Sequence, residues 1–297
     1  MMTLRELMET FPSSDDCKRY LQDRRWPDGV VRCPRCNNDH VYGSKARPFT
    51  WQCMKCGPGP RKPYRFSVLV STIFEDTKYP LKTWFEVLWS MLNAKKWISA
   101  KQIQRQIGCG SYETAWYMCM RLRAGMRDPG FRKLMGVVEV DETFIGGKDR
   151  NRHWNKKTHV TGGIGSGKVG VIGAISRKRS VLAQIIENTD TETLQDFVKR
   201  TVDKRVRLVV TDDAGGYRNL DKEGYKHETV AHSQNEYVRG EAHTGHIESF
   251  WSLIKRGIMG SFHHVSKKYL PMYLAEFQFR YNNRHNEDIF GTAIAGC

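Results

Sequence analysis

In this chain of 297 residues, the position of Asp141 needs a chemical explanation. It lies in the run VVEVDETFIGG, residues 137–147, whose β-branched residues and flanking glycines predict a central strand. A carboxylate on such a strand is costly unless it is paired or bound to a cation. Asp141 therefore either has a structural partner or serves a metal. Glu142 points to the opposite face of the strand, as a structural or supporting carboxylate.

Two further carboxylates could join Asp141. The run VRLVVTD predicts a strand that ends in Asp212 and Asp213, and we choose Asp212 because it comes directly after the apolar residues. HIESFWSLIKRG predicts a helix that carries Glu248 on a flank away from its buried apolar residues. Thirty-five residues separate Asp212 from Glu248.

The elements that must position these acids follow one another as three strands, a helix, a strand and a helix. VGVIGAISR and SVLAQIIEN predict two strands that form an antiparallel meander with the first, and a helix follows from residue 189 to about 203. This order predicts the α/β class, with an RNase H-like core built on a mixed five-stranded sheet. Its first and fourth strands lie side by side, so Asp141, Asp212 and Glu248 are expected to converge.

Three converging carboxylates could support metal-dependent phosphoryl transfer. Carboxylates within about 4 to 5 Å of one another cannot all ionise unless cations neutralise them, and two Mg²⁺ ions, or Mn²⁺ in their place, would satisfy all three. Such a pair activates a water or a 3′-hydroxyl for in-line displacement at phosphorus. Lys255, two helical turns after Glu248, and its neighbour Arg256 are candidates for holding DNA, although Lys255 could equally be an ordinary surface lysine.

Four cysteines have the spacing of a zinc ribbon. They form two CxxC pairs sixteen residues apart, CPRC with Cys33 and Cys36, and CMKC with Cys53 and Cys56. Four thiolates arranged in this way bind one structural Zn²⁺ in a tetrahedron. A redox CxxC is the alternative, and the presence of two pairs with basic neighbours argues against it.

Two segments before the predicted catalytic strand are candidates for binding DNA. Around the cysteines, basic residues such as Lys62 and Arg65 are interleaved with aromatic rings, which suits a surface that follows a phosphate backbone. SAKQIQRQIG and ETAWYMCMRLRAGM flank a glycine-containing turn in the layout of a helix-turn-helix, whose second helix would present Tyr112, Tyr117 or Arg121. The alternatives are a solvated basic face over an aromatic core, and an ordinary helix pair.

Composition narrows the choice of partners. The chain has 48 Lys and Arg against 32 Asp and Glu, a formal net charge of +16, which favours nucleic acid first and an anionic membrane surface second. No apolar run is long enough to span a membrane, and MMTLRELMETF is too polar for a secretory signal. We therefore expect an intracellular protein associated with DNA or RNA, with no membrane partner.

The motifs together resemble one family. WPDGVVRCPRC, CMKC, ISAKQIQRQIG, VVEVDETFIGG, VVTDDAGGYRNL and HTGHIESFWSLIKRG are similar to segments of the zinc-ribbon DDE transposases of bacterial insertion sequences, the ISXO-type group related to eukaryotic Merlin elements. The resemblance covers nearly the whole chain. It implies that Asp141, Asp212 and Glu248 are the catalytic triad, that Mg²⁺ is the cofactor, and that terminal inverted repeats are the substrate. One departure is Gly245, where the family usually has Asn.

These expectations combine into a three-domain transposase. We predict N-terminal helices and a zinc ribbon in residues 1–66, a helix-turn-helix domain in 67–132 and the catalytic domain in 133–297. The protein would act on double-stranded DNA, both transposon ends and target, as a homodimer or larger assembly that pairs two ends. A catalytically dead, transposase-derived DNA-binding regulator is the main alternative, and a structure-specific nuclease such as a resolvase is a third.

Overall fold

A computed structural model describes residues 2–57, 62–128, 131–147, 151–160, 163–177, 180–213, 215–230 and 242–297. The chain divides into two compact units, Met1–Arg127 with His285–Cys297, and Asp128–Arg284. The boundaries of the three predicted domains stay a prediction. Within the described residues no helix has the length and apolar character needed to cross a membrane.

Two short helices begin the first unit, as the sequence predicts. Helix α1 spans Leu4–Thr10 and α2 spans Ser14–Arg25. Each starts with a capping box, in which Thr3 or Ser13 accepts a bond from the backbone and the acid three residues later bonds back to the cap. The short hydroxyl side chains therefore fix where both helices start.

A small antiparallel sheet carries the cysteine pairs. Its strands are β1 (Val41–Gly43), β2 (Thr50–Cys53) and β3 (Tyr64–Ser67), in the order β1-β2-β3. The Trp51 ring stacks on Phe66 at 5.9 Å between centroids, and Phe66 is almost completely buried. These two rings pack against each other inside the zinc ribbon. They therefore fit the alternative in which the aromatic residues form the core of the ribbon.

Four more helices complete the first unit. They are α3 (Leu81–Asn93), α4 (Ala100–Ile107), α5 (Tyr112–Gly125) and, from the end of the chain, α9 (Ile289–Ala295). Gly108 ends α4 in the left-handed conformation at φ 65°, and the Ser111 side chain caps α5, which gives the predicted helix, tight turn and helix. Helix α9 joins this unit because the Phe290 ring packs on Phe11 and Phe85.

The second unit contains a mixed five-stranded sheet. Its strands are β4 (Val137–Ile145), β5 (Val169–Ser176), β6 (Val181–Ile186), β7 (Leu208–Asp212) and β8 (His227–Val230), in the order β6-β5-β4-β7-β8. Strands β4, β5 and β6 pair antiparallel, whereas β4, β7 and β8 pair parallel. This confirms the predicted RNase H-like α/β fold, with the strand of Asp141 at its centre.

The two faces of β4 have different surroundings. Val138 and Val140 belong to an apolar cluster with Leu194, Phe197 and Val198 of helix α6, which spans Thr191–Thr201. The alternate residues Glu139 and Asp141 face helix α7. This helix spans Gly245–Gly257 and continues as a π-helical turn over Ile258–Phe262. The two-residue period of the strand thus directs apolar side chains to one helix and Glu139 and Asp141 to the other.

Helix α8, Leu270–Asn282, covers the outer edge of the sheet. The amide side chains of Gln278 and Asn282 accept bonds from the backbone N–H groups of Ala183 and Val181 and donate to the carbonyls of the same residues. Paired in this way, β6 offers fewer free backbone groups to another strand.

We predict that Gly173→Ala destabilises the fold. Gly173 pairs with Asp141 across β4 and β5, and a Cβ there would lie 2.5 Å from Cη2 of Trp251 on α7. Overpacking of this kind should cost about 1–3 kcal/mol, measured by urea unfolding. Gly147→Ala is the matched control, because a Cβ there has no atom of the described residues within 4 Å. Equal losses in the two variants would contradict the prediction.

Candidate active site

Strands β4 and β7 bring Asp141 and Asp212 to the same level of the sheet. The parallel register pairs Val137 with Leu208 and Glu139 with Val210, and continuing it by two residues sets Asp212 beside Asp141. Burial, and next the charge of Asp212, raise the pKa of Asp141 from 3.8 to about 6. The predicted neighbourhood of these two aspartates is therefore present.

Trp251 of α7 orients the Asp141 carboxylate. Its indole Nε1 donates to Oδ2 of Asp141 at 2.9 Å, which partly offsets the rise of that pKa. The ring fits because Gly173, the cross-strand partner of Asp141, has no side chain. A buried tryptophan thus sets the direction in which the carboxylate points.

Glu248 lies in the first turn of α7 and is exposed. The Thr244 hydroxyl donates to Oε1 of Glu248 at 2.7 Å, and the charge of Glu248 contributes to the raised pKa of Asp141. The oxygens of Asp141, Asp212 and Glu248 are not among the described groups whose ligand atoms all lie within 4.8 Å of one another. Asp212 and Glu248 thus both act on Asp141, while the three acids do not form one tight cluster of ligand atoms.

Glu142 belongs to the same electrostatic group, which the sequence did not reveal. Burial, and next the charge of Asp212, raise its pKa from 4.5 to about 8, while Tyr217 acts in the opposite direction. Tyr217 is part of the apolar cluster on the α6 face, so Glu142 does face away from Trp251 as its position in the strand predicts. Glu142 also lines the cleft described next.

A cleft of about 350 Å³ joins the acids to two basic residues. Asp141, Glu142 and Glu248 line it together with the exposed residues Lys255 and Arg256 of α7. The seven-residue spacing from Glu248 to Lys255 is two helical turns, so both lie on one face of the helix, as predicted. The cleft therefore offers carboxylate oxygens that can bind cations and, beside them, positive charges that can bind anionic groups.

Sequence reasoning missed Glu139, which is completely buried on β4. Its Oε2 accepts the backbone N–H groups of His246 at 2.9 Å and Ile247 at 3.1 Å, at the start of α7. Its Oε1 accepts from Arg177 Nε at 2.9 Å and pairs with Nδ1 of His246 at 2.8 Å. The available signal was the alternation in VEVDE, since it puts residue 139 on the same face as Asp141.

The four predicted zinc ligands form one cluster. Cys33 and Cys56 lie 3.9 Å apart and Cys36 and Cys53 lie 3.7 Å apart, measured between sulfurs. Sulfurs placed tetrahedrally around Zn²⁺ at about 2.3 Å are separated by about 3.8 Å, so the cluster fits this ion. Burial raises the pKa of Cys53, but bonds from backbone N–H groups and neighbouring thiols outweigh it and lower that pKa to about 7. The predicted zinc ribbon is thus supported by geometry and donor chemistry.

The predicted DNA-binding residues of the first unit differ in accessibility. Lys62 and Arg65 are exposed, as are Tyr112 and Tyr117. Arg121 is half-buried and donates from Nη2 to the Glu75 carbonyl at 3.0 Å, because the segment before α3 packs against α5. Tyr117 and Arg121 line a separate cleft of about 800 Å³ within this unit.

Comparison with known proteins identifies relatives for both ends of the chain. Residues 133–282 match the ISXO2-like transposase domain, and residues 12–58 match the transposase zinc-ribbon domain. A Halobacterium salinarum protein described as an uncharacterized protein in transposable element ISH50 is 27% identical over 287 residues, which is 92% of each chain. A Haemophilus influenzae protein described as an uncharacterized transposase-like protein is 27% identical over 106 residues, 36% of this chain and 84% of that one.

Among solved structures, a pre-cleavage Mos1 transpososome matches with 12% identity and a TM-score of 0.27, over 70% of this chain and 77% of that one. A similarity this low carries no argument about the fold or the site.

We predict that Asp141→Asn stabilises the protein in buffer without divalent metal. Because the folded-state pKa of Asp141 is raised from 3.8 to about 6, its ionisation opposes folding increasingly as pH rises from about 4 to about 6, and the full penalty applies at pH 7.5. Removing the ionisable group should raise the free energy of unfolding by about 1–3 kcal/mol at pH 7.5, measured with denaturant, and should not change it below about pH 4. Exposed Asp196→Asn is the control. A loss of stability at pH 7.5 would contradict this prediction.

We predict one zinc ion per chain, lost in Cys36→Ser. Replacing one of four thiolates breaks the tetrahedral ligand set, so zinc measured by atomic absorption after dialysis should fall from about one to near zero per chain. Cys109→Ala, which removes a buried thiol outside the cluster, should retain the metal. Equal zinc contents in both variants would refute the assignment.

Proposed function

The chain belongs to the ISXO2-like transposase family, and from that premise we propose what it does. It binds the terminal inverted repeats of an insertion sequence, cleaves the DNA at the ends and joins the 3′-OH ends to target DNA. The observation that supports this most strongly is the cleft that Asp141, with its raised pKa, and Glu248 line together with Lys255 and Arg256. Phosphoryl transfer requires acidic residues that bind metal cations, with basic residues beside them that bind phosphate.

Asp141, Asp212 and Glu248 are the proposed ligands of two Mg²⁺ ions, with Mn²⁺ as a substitute. Their oxygens suit hard cations, and bound cations would offset both the burial and the repulsion that raise the pKa of Asp141. When bound, the ions would activate a water or a 3′-hydroxyl and stabilise the leaving oxygen. Trp251 and Thr244 hold the carboxylates of Asp141 and Glu248 ready for this role.

Lys255 and Arg256 are proposed to hold a DNA phosphate at the cleft. Both are exposed, and both lie on α7, the helix that carries Glu248. A charged contact to the backbone positions DNA without reading its sequence, so these residues would set the location of the scissile phosphate.

The first unit is proposed to recognise the ends. Zinc-ribbon residues Lys62 and Arg65 and helix residues Tyr112 and Tyr117 are its exposed candidates, and the net charge of +16 favours binding to DNA. Arg121 would have to act from its position beside Glu75. Because two ends must be paired, the active form is proposed to be a homodimer or larger assembly in the bacterial cytoplasm, at the nucleoid.

Gly245 favours a second candidate, a catalytically dead DNA-binding regulator derived from such an enzyme. Gly245 is the first residue of α7, where the family usually has Asn. Among the residues that the structure describes, a Cβ at this position would meet only Nδ1 of His243, at an ordinary 3.6 Å, so these residues leave space for a side chain there. An enzyme that lost a functional side chain here could keep its fold and its DNA binding.

The two functions are separated by incubating the protein with labelled duplex DNA taken from both flanks of its own reading frame, with Mg²⁺ or Mn²⁺. Wild type should nick the ends and transfer them, whereas Asp141→Asn and Glu248→Gln should bind the ends with unchanged affinity and cut them at least about 10³-fold more slowly. Asp213→Asn, next to the proposed ligand Asp212, is the matched control and should cut.

Binding without cutting by the wild type in both metals would establish the regulator instead. Gly245→Asn then gives a further test, because restored cutting would identify a decayed enzyme. Full cutting by Asp141→Asn would reject the proposed metal ligands.

A further inference from the structure

Glu139 makes four hydrogen bonds that link three parts of the second unit. Oε2 accepts the backbone N–H groups of His246 and Ile247, and Oε1 accepts from Arg177 Nε and pairs with His246 Nδ1. The carboxylate has no exposed surface, so these bonds replace all the water it would otherwise bind. Such a buried acid needs a structural or functional account.

A metal site is the first account to consider, because atoms of Glu139, His243 and His246 lie within 4.8 Å of one another. An ionised carboxylate offers about four lone-pair positions, and all four are occupied here by Arg177, two backbone N–H groups and His246 in the tautomer that is protonated at Nδ1. One donor is the guanidinium of Arg177, which lies 2.9 Å from Oε1. Its positive charge would repel a metal cation bound to the same carboxylate. The cluster therefore serves as a hydrogen-bonded anchor and not as a cation site.

The anchor holds the start of α7. The N-cap residue Thr244 makes no side-chain cap bond, and its hydroxyl donates to Glu248. Glu139 supplies the missing acceptor from another element, and its negative charge also suits the positive end of the helix. A strand residue thus caps the helix that carries Glu248.

A second link lies one helical turn further along, where Trp251 donates to Asp141. Residues 139 and 141 are about 6.6 Å apart along the strand, and residues 247 and 251 are about 6 Å apart along the helix, so the two links have matching spacing. Two fixed points prevent α7 from sliding or rotating on the sheet. Glu248 follows directly after the first of them.

We infer that Glu139 is the positioning residue that sets Glu248 relative to Asp141 by capping helix α7 from strand β4. This rests on the proposed function for the roles of Asp141 and Glu248. It assigns to Glu139 no contact with DNA or metal. Its effect on cutting passes through the helix.

Hydrogen exchange measures the cap without relying on activity. In Glu139→Gln an NH₂ group replaces one carboxylate oxygen, so both backbone bonds are lost where it replaces Oε2 and the Arg177 bond is lost where it replaces Oε1. In either orientation the negative charge that faces the helix N–H groups is removed. Backbone amides 246–248 should then exchange about tenfold faster, while those of α6 stay unchanged. Glu276→Gln is the matched control, since it alters an equally buried glutamate on α8 against edge strand β6. Unchanged exchange at 246–248 in Glu139→Gln would overturn the inference.

Positioning is tested by the cutting rate of pre-bound ends in a single turnover. Glu139→Gln should cut about 10- to 100-fold more slowly, with end binding within about twofold of wild type, because small displacements of a reacting group are costly. In Glu276→Gln the cutting rate should fall only as far as the fraction of folded protein falls. Faster exchange at 246–248 with an undiminished cutting rate would overturn the positioning role.

A double variant shows whether the effect passes through Glu248. With Mn²⁺ as the probe, the ion-induced rise in melting temperature should be smaller in Glu139→Gln and Glu248→Gln, and no smaller in the double variant than in Glu248→Gln alone. Additive losses would overturn the inference. Because this readout and hydrogen exchange need no cutting, a wild type that fails to cut would reject the proposed function and leave this test standing.

Should Glu139→Gln fail to fold, His246→Pro compared with His246→Ala gives the same information. Both remove the imidazole, but only proline also removes the N–H that bonds to Oε2, and the first turn of a helix tolerates proline. His246→Pro should show the faster exchange at 247–248 and the slower cutting. Identical behaviour of the two variants would overturn the inference.

Discussion

The second unit depends on burying acidic side chains on one face of its central strand. Val138 and Val140 complete an apolar cluster on the α6 side, while Glu139 and Asp141 face α7. Charges in such a place are unfavourable unless each has partners. The strand stays central because its apolar face is fully packed, and the acids are tolerated because α7 supplies donors for both of them.

Helix α7 therefore has a dual role. Its first-turn N–H groups satisfy Glu139 and its Trp251 satisfies Asp141, and the same helix presents Glu248, Lys255 and Arg256 to the cleft. Because Gly173 has no side chain, Trp251 of this helix can pack directly on the sheet. The packing that stabilises the unit is thus the packing that orients the candidate site.

The site keeps electrostatic strain that the rest of the fold supports. Burial and mutual repulsion raise the pKa of Asp141 to about 6 and that of Glu142 to about 8, so the protein holds groups that would be more stable if neutral or bound to cations. Strands β4 and β7 are fixed by their neighbours and cannot separate to relieve it. A site of this kind is costly to fold and well suited to cations, which is the compromise expected of an enzyme.

The sequence by itself determined the elements and the residues with distinctive spacing. Alternating or branched apolar runs gave the strand of Asp141, and the CxxC pairs gave the zinc cluster, because both patterns are local. Only the tertiary structure decided that Glu139 caps a helix more than 100 residues away, that Arg121 is held by the Glu75 carbonyl, and that Glu142 belongs to the charged group. These facts depend on which helix packs on which strand, and at what distance, and no periodicity in the chain encodes that.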